Sequence, residues 1–372
     1  MAEQFDVVVS GHLCLDLFPD MLNTEPQALI VPGRLVEVGH MEISPGGPVW
    51  NTGLALHKLG VKVKLIACVG DDPLGKITLD QFSKYDKTLA YSIHIEKGYP
   101  SSYSVVLSPK RADRTFWHCA GTNQTFGVDS INYESLTGAK LFHLGYPPLL
   151  PSLLEDDGEG LFTVYRRVKA LGVVTSMDTV VPDPTNISGK VNWPNILKKT
   201  LPNVDIFLPS IDEILFMLRY SDWKRWQGEV LSHINADYLL SLAEELLELG
   251  TVVAGFKLGA KGIYLRTSSS SHFQRLAILG LDVNPWVNKT LWQPAFQVEV
   301  RGTTGAGDSA YAGFLTALLY RQNPEVALRW ACAVGACNVE AVSGITDLQS
   351  VLARLQAGWQ VRPDQLVGFR VS

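Results

Sequence analysis

The densest chemical signal in the 372-residue chain is Arg301-Gly302-Thr303-Thr304-Gly305-Ala306-Gly307-Asp308-Ser309. It follows a strand-like run at 296–300 and directly precedes an amphipathic stripe that starts at Tyr311. Small residues at Gly305, Ala306 and Gly307 let the backbone approach a ligand closely. The N–H groups opening the next helix lack intrahelical partners, and the helix dipole adds positive potential there. Such a turn suits a phosphate or a developing negative charge. Asp308 would repel a resting phosphate. It makes better sense facing a hydroxyl, whose proton it can accept as that oxygen attacks a γ-phosphorus. The competing reading makes Asp308 a plain N-cap and the glycines turn formers.

Gly46-Gly47-Pro48-Val49-Trp50-Asn51 marks a second loop-to-helix junction. Two glycines followed by an amide on the first turn can bring backbone N–H groups and Asn51 onto a polyol; an ordinary helix entry with Pro48 at its first position is the alternative. Gly11-His12-Leu13-Cys14-Leu15-Asp16 puts a carboxylate just past the first strand, and open α/β sheets bind ligands at the carboxyl ends of their strands. Other signals are weaker. Gly70-Asp71-Asp72-Pro73-Leu74-Gly75-Lys76-Ile77 nearly spells a phosphate loop, but Ile77 cannot ligate magnesium and the two aspartates would repel phosphates. Cys332 and Cys337 read as buried thiols, and the eight histidines show no ligand spacing, with His12 alone near a proposed site. Arg111 and Arg114 can meet a phosphate on the substrate or simply lie in a solvated loop.

These residues need a scaffold, and the chain supplies alternating strand-like and helix-like segments. Strands are expected at 6–9, 61–69, 140–144, 173–177, 205–208 and 251–254, and helices at 48–59 and 239–249. Residues 29–45 and 91–119 are rich in β-formers without intervening helices and read as a small accessory sheet covering a site. Residues 268–292 read as a long connection. The expected fold class is α/β, a doubly wound sheet with a small β lid (approximately 17–45 and 91–119) in one domain over 1–372. A 46% apolar, 19% charged composition supports a large core and excludes a mostly disordered chain. Five cysteines exclude a disulfide scaffold, and a net charge of −5 argues against nucleic-acid or anionic-membrane partners. No apolar run approaches the roughly 18 residues of a membrane span, and Met1 to Phe5 hold no signal-peptide pattern, so a cytoplasmic protein is expected.

Together these elements resemble the ribokinase-like (pfkB) carbohydrate kinase family. Gly46-Gly47, Asn51, Ala55 and Leu59-Gly60, running on to Val69-Gly70-Asp71-Asp72 and Gly75, are similar to its N-terminal signature. Thr303-Thr304-Gly305-Ala306-Gly307-Asp308, running into Ala312-Gly313-Phe314, is similar to its more specific C-terminal one. The resemblance spans about residues 5–355. It implies a Rossmann-like central sheet, a β lid and ATP-dependent phosphorylation of a sugar-like alcohol. Asp308 becomes the catalytic base and Gly305, Ala306 and Gly307 the anion hole. Asp16, Gly46, Gly47 and Asn51 fall where the family contacts the sugar. Lys257-Leu258-Gly259-Ala260-Lys261-Gly262 matches its nucleotide loop, with Lys257 where a hydroxyl residue is common. Thr304 joins Lys257, Gly259 and Gly262 on the nucleotide side, and segments 285–300 and 332–340 are expected around the adenine. A homodimer joined through lid strands also follows from the resemblance.

The chain departs from the family in two places. Ser210-Ile211-Asp212-Glu213 keeps only the Glu of Asn-x-x-Glu, leaving Glu213 to orient magnesium through water and Ser210 to replace the amide. Gly302 stands where an Asp often helps hold a monovalent cation. The expected activity is an ATP- and magnesium-dependent sugar kinase. A nucleoside or sugar-phosphate kinase, and a non-catalytic sugar-binding protein, are the alternatives. Without the carboxylate at Gly302 a potassium site is weakened, and Arg301 is the nearby positive charge. Titrating potassium at constant ionic strength should leave turnover nearly flat; a large saturable rise would reject this.

Overall fold

The computed structural model describes residues 5–111, 114–340, 346–363 and 366–369. Eight strands form one sheet in the order Thr290–Gln293, Ile263–Thr267, Val253–Lys257, Ile206–Phe207, Val174–Asp178, Leu141–Gly145, Val7–Gly11, Val63–Ile66. The six from Val253–Lys257 onward run parallel; the other two are antiparallel additions at one edge.

Successive strand residues face opposite sides of a sheet, and here both sides are apolar. Val7, Val9, Leu141, Val174 and Ile206 lie in one core with helices Pro48–Lys58, Ala306–Leu319 and Pro324–Glu340. Val8, Phe142, Leu144, Phe207 and Phe256 lie in the other, with helices Pro151–Ala170, Trp193–Thr200 and Ala236–Glu248. Burial on both faces is why these strands read as continuous apolar runs. Val7–Gly11 has Val63–Ile66 on one side and Leu141–Gly145 on the other. In the main sheet the chain passes from Val7–Gly11 to Val63–Ile66 on one side and later returns to Leu141–Gly145 on the other, and this reversal opens a crevice at the strands' carboxyl ends.

Around the main sheet, three expected elements differ. The alternating run 61–69 divides at Ala67: Val63–Ile66 stays in the main sheet, while Cys68–Gly70 pairs with His94–Glu96 in a separate two-stranded sheet. Alternation reports a half-buried strand but not its partner. Residues 296–300 form no strand, and Phe296 makes only an isolated bridge to Val361. The ladder stops at Pro294, which has no N–H to extend it. Residues 268–292 are more ordered than a connection: they hold short helical turns around buried Phe273, Leu276 and Trp286 and end in strand Thr290–Gln293.

A four-stranded sheet stands apart, in the order Met41–Gly46, Cys14–Pro19, Tyr103–Leu107, Thr115–Cys119. Pro26–Ile30 is a 3-10 turn rather than a strand. The register sets Ser44, Asp16, Ser104 and His118 in one row across all four strands. Only His12 and Leu13 separate the strands Val7–Gly11 and Cys14–Pro19 of the two sheets. Buried Asn123 clamps that link: its side-chain oxygen accepts from the Leu13 N–H at 3.3 Å and its amide donates to the Leu13 carbonyl at 2.9 Å. Asn123→Ala strands both buried backbone groups, which should cost about 2 kcal/mol. Urea denaturation checks this, and an unchanged midpoint would contradict the clamp.

Candidate active site

Helix Ala306–Leu319 begins at Gly305, whose φ of 73° is the left-handed conformation that glycine adopts without strain. A Cβ there would stand 3.2–3.3 Å from the Asn51 amide group, so the turn and helix Pro48–Lys58 meet face to face. Gly305 is the cap, which removes the N-cap reading of Asp308; that residue sits on the first turn and makes no capping bond. The Ala306 N–H is used within the turn, donating to the Thr303 carbonyl at 3.2 Å. The Gly307 and Asp308 N–H groups have no intrahelical acceptor.

Asp308 is buried, and three side chains donate to it. Tyr146 at 2.8 Å and Asn51 at 3.0 Å both reach Oδ2, while Thr52 reaches Oδ1 at 3.4 Å. Oδ1 is thus the less saturated oxygen. Burial, together with the charge of Asp178, raises the Asp308 pKa to about 6. Lys257, at the carboxyl end of Val253–Lys257, pairs with Asp178 at 2.6 Å. Its Nζ lies 3.4 Å from where a Cβ on Gly307 would stand, against the turn itself. Burial alone would lower the Lys257 pKa; the carboxylates of Asp178, Glu213 and Asp308 outweigh it and keep the ammonium charged. One buried cation therefore serves three acidic groups, and Asp178 Oδ2 is buried without a partner.

On the small-sheet side, a Cβ on Gly46 would overlap the Asp16 carboxylate, and one on Gly47 would stand 2.5 Å from His12 Nδ1. The two glycines thus let this corner pack directly on Asp16 and His12. Burial raises the Asp16 pKa, and the Cys14 thiol donates to its Oδ1 at 3.2 Å. Arg114 donates to the Thr304 hydroxyl, tying the residue just before strand Thr115–Cys119 to the glycine turn. Arg111 is exposed. Arg301 is exposed too, 4.0 Å from Glu299, whereas Lys257 is the cation against Gly307.

Of the remaining predicted residues, Glu213 accepts from the Ser210 N–H at 2.7 Å, closing a capping box on helix Ile211–Leu218. Burial raises its pKa to about 7. Gly262, at φ 86°, leaves no room for a Cβ beside the Gln293 carbonyl, while Gly259 and Thr304 are exposed. The Cys332 thiol reaches the same Gln293 carbonyl at 3.6 Å, so loop 257–262 adjoins parts of both segments expected around an adenine. Asp72 of the near-phosphate loop caps helix Pro73–Ser83, accepting from Gly75 N–H at 2.8 Å. A cavity of about 910 Å³ lined by Lys64, Cys68, Glu96 and Ser130, among others, contains none of the site residues.

Four site residues escaped the sequence reading: Thr52, Tyr146, Asp178 and His118. Tyr146 and Asp178 follow or end expected strands, so the rule that ligands gather at strand carboxyl ends would have found them. Tyr146 sits at φ 61°, uncommon for a non-glycine residue, and its N–H donates to the Asp178 carbonyl at 3.1 Å.

This arrangement can bind an anion at a half-buried helix start, beside a carboxylate whose raised pKa of about 6 lets it accept a proton. Comparison with known proteins bears on the chain as a whole. The pattern of the pfkB family carbohydrate kinases matches residues 4–350. An uncharacterised sugar kinase of Archaeoglobus fulgidus is 25% identical over 77% of this chain and 95% of its own. A ribokinase of Haemophilus influenzae is 22% identical over 87% and 92%. The solved structure of Arabidopsis thaliana ribokinase with ribose and ATP shares the fold at TM-score 0.68 and 20% identity, covering 95% of this chain and 99% of that one. Among the described residues no helix is long and apolar enough to cross a membrane. With a match along nearly its whole length, the chain belongs to the pfkB family of carbohydrate kinases.

Proposed function

We propose that this carbohydrate kinase transfers the γ-phosphoryl group of ATP to a hydroxyl of a small sugar or sugar-like alcohol, with Asp308 as general base. The observation that carries the reading is the buried Asp308, with Oδ2 saturated by Tyr146 and Asn51 and Oδ1 left nearly free beside unpaired helix amides. The acceptor lies between Asp16, Gly46, Gly47, Asn51 and the small sheet, which acts as a lid. Its hydroxyl proton passes to Asp308 as the oxygen forms a bond to the γ-phosphorus and the bond to ADP breaks. Backbone N–H groups of the 305–308 turn stabilise charge on the transferring phosphoryl, and Lys257 adds fixed positive charge there. Tyr146, whose pKa burial raises well above its ordinary value, stays a donor and fixes the carboxylate.

Ser210, Gly259, Gly262 and Thr304 line the nucleotide side. A magnesium ion fits as a companion of the triphosphate. Acidic groups outnumber the one buried cation, yet among the described residues no cluster of three or more ligands could hold a metal alone. Magnesium typically keeps several waters and takes one or two carboxylates plus substrate phosphates. Glu213 would orient it through water, and when bound it neutralises phosphate charge. Gly302 argues against a strong monovalent-cation site. Lid closure excludes water, which would otherwise compete as acceptor. The small sheet and main sheet work as one cytoplasmic kinase domain, with a homodimer through the lid. Arg114 at the glycine turn favours a second reading, in which the acceptor already carries a phosphate or carboxylate.

A coupled ADP-release screen over hexoses, pentoses, sugar acids, nucleosides and sugar phosphates tests the reading. No release with any of them would favour a non-catalytic sugar-binding protein. Asp308→Asn should lower kcat at least about 100-fold; near-normal turnover in a folded variant would contradict the assignment. The wild-type kcat/KM should fall on the acid side around pH 6, where Asp308 takes up a proton in the folded enzyme. The raised pKa carries a second, opposite sign. Ionising Asp308 destabilises the fold, an effect absent below its unfolded value and complete above its folded one. Asp308→Asn should therefore be stabilised relative to wild type more at pH 8 than at pH 4. Melting curves at the two pH values check this, and an equal difference at both would refute it.

A further inference from the structure

His12 stands at the junction of the two sheets, and no role assigned so far uses its ring. It is 3% exposed, and neither ring nitrogen has a hydrogen-bond partner. Its backbone is fixed, since its N–H donates to the Gly145 carbonyl at 3.3 Å and its carbonyl accepts from Val49 N–H at 3.4 Å. The ring lies against the bare face of Gly47. Tyr146 stacks on it with centroids 6.1 Å apart and planes 29° apart, and His118 of the small sheet's edge strand lies 5.5 Å away. The Tyr146 hydroxyl bonds Asp308, and His118 Nδ1 bonds the Ser104 hydroxyl at 3.1 Å in the same cross-strand row as Asp16. His12 thus sits between the two poles of the acceptor site.

A buried imidazole with two unmade hydrogen bonds is costly, because each ring nitrogen has given up water without gaining a partner. Buried polar groups in native proteins are nearly always paired. We infer that His12 is a specificity-determining residue whose partner is the acceptor: it holds a neutral hydroxyl of a polyol between Asp16 and Asp308. Burial and the neighbouring His118 lower the His12 pKa to about 3, so the ring is neutral and offers one donor and one acceptor. A hydroxyl matches either nitrogen. A carboxylate or phosphate at this subsite finds no cation and faces two acidic side chains. An anionic group elsewhere on the substrate, toward Arg114, is compatible with this.

The inference rests on the kinase reading, and two measurements separate their failures. The variants are His12→Phe and His12→Leu, which fill the space without ring nitrogens. The first measurement is thermal unfolding without ligands. Removing unmade hydrogen bonds should leave the melting temperature equal to wild type or higher. A fall of several degrees in both variants would show that His12 is satisfied within the fold, and would overturn the inference whatever the enzyme phosphorylates. The second is ADP release with D-ribose, D-fructose and 2-dehydro-3-deoxygluconate, and with monodeoxy analogues of whichever is turned over. The variants should raise the acceptor KM at least tenfold, with kcat and the KM for ATP within about threefold of wild type. One deoxy analogue should be a poor substrate for wild type and no poorer than the parent sugar for the variants. An unchanged acceptor KM would overturn the inference. Absence of release by wild type with every acceptor would count against the kinase reading instead, leaving the unfolding measurement to judge His12.

Discussion

The site depends on keeping a carboxylate ionisable where water does not reach it. Burial penalises the charge on Asp308, and the structure answers with donors from separate parts of the chain: Asn51 and Thr52 from one helix and Tyr146 from a strand end. A single ammonium, Lys257, offsets the surplus of acid. No short segment could supply these groups. They converge because the parallel strands end on one side of the sheet, and because the order reverses beside Val7–Gly11. The sheet's topology and the electrostatics of Asp308 are therefore one constraint viewed at two scales.

Much of this was legible before the fold was known, for physical reasons. The glycine turn announces itself because only small residues permit close backbone approach, and Asp308 stands out as an acid placed where an anion should bind. Strands buried on both faces read as apolar runs, as at 6–9 and 140–144. What stayed hidden depends on partners distant in sequence. Tyr146 and Asp178 are marked only by the strand ends they occupy, while the groups they meet, Asp308 and Lys257, are distant in sequence. Asn123 reads as an ordinary loop amide until Leu13, 110 residues away, lies beside it. The break at Ala67 and the end of the ladder at Pro294 likewise depend on neighbouring strands rather than on alternation.

Departures from the family pattern become easier to understand on the folded chain. Lys257 stands where the family resemblance implies a hydroxyl residue, and its Nζ lies against Gly307 while paired with Asp178. Arg301, the charge that sequence alone put near the turn, lies at the surface beside Glu299. Fixed positive charge thus comes from beneath the turn rather than from the loop before it. The small sheet sets Asp16 and His118 in one cross-strand row, and Arg114 reaches the Thr304 hydroxyl.

The most direct test is a crystal structure with a non-hydrolysable ATP analogue and the acceptor that supports fastest ADP release. An acceptor hydroxyl is expected within roughly 2.6–3.2 Å of Asp308 Oδ1, the reach of a general base. That hydroxyl should lie in line with the γ-phosphorus, whose oxygens rest on the N–H groups of the 305–308 turn. An acceptor whose reactive hydroxyl lies beyond reach of Asp308, with the γ-phosphate away from that turn, would contradict it.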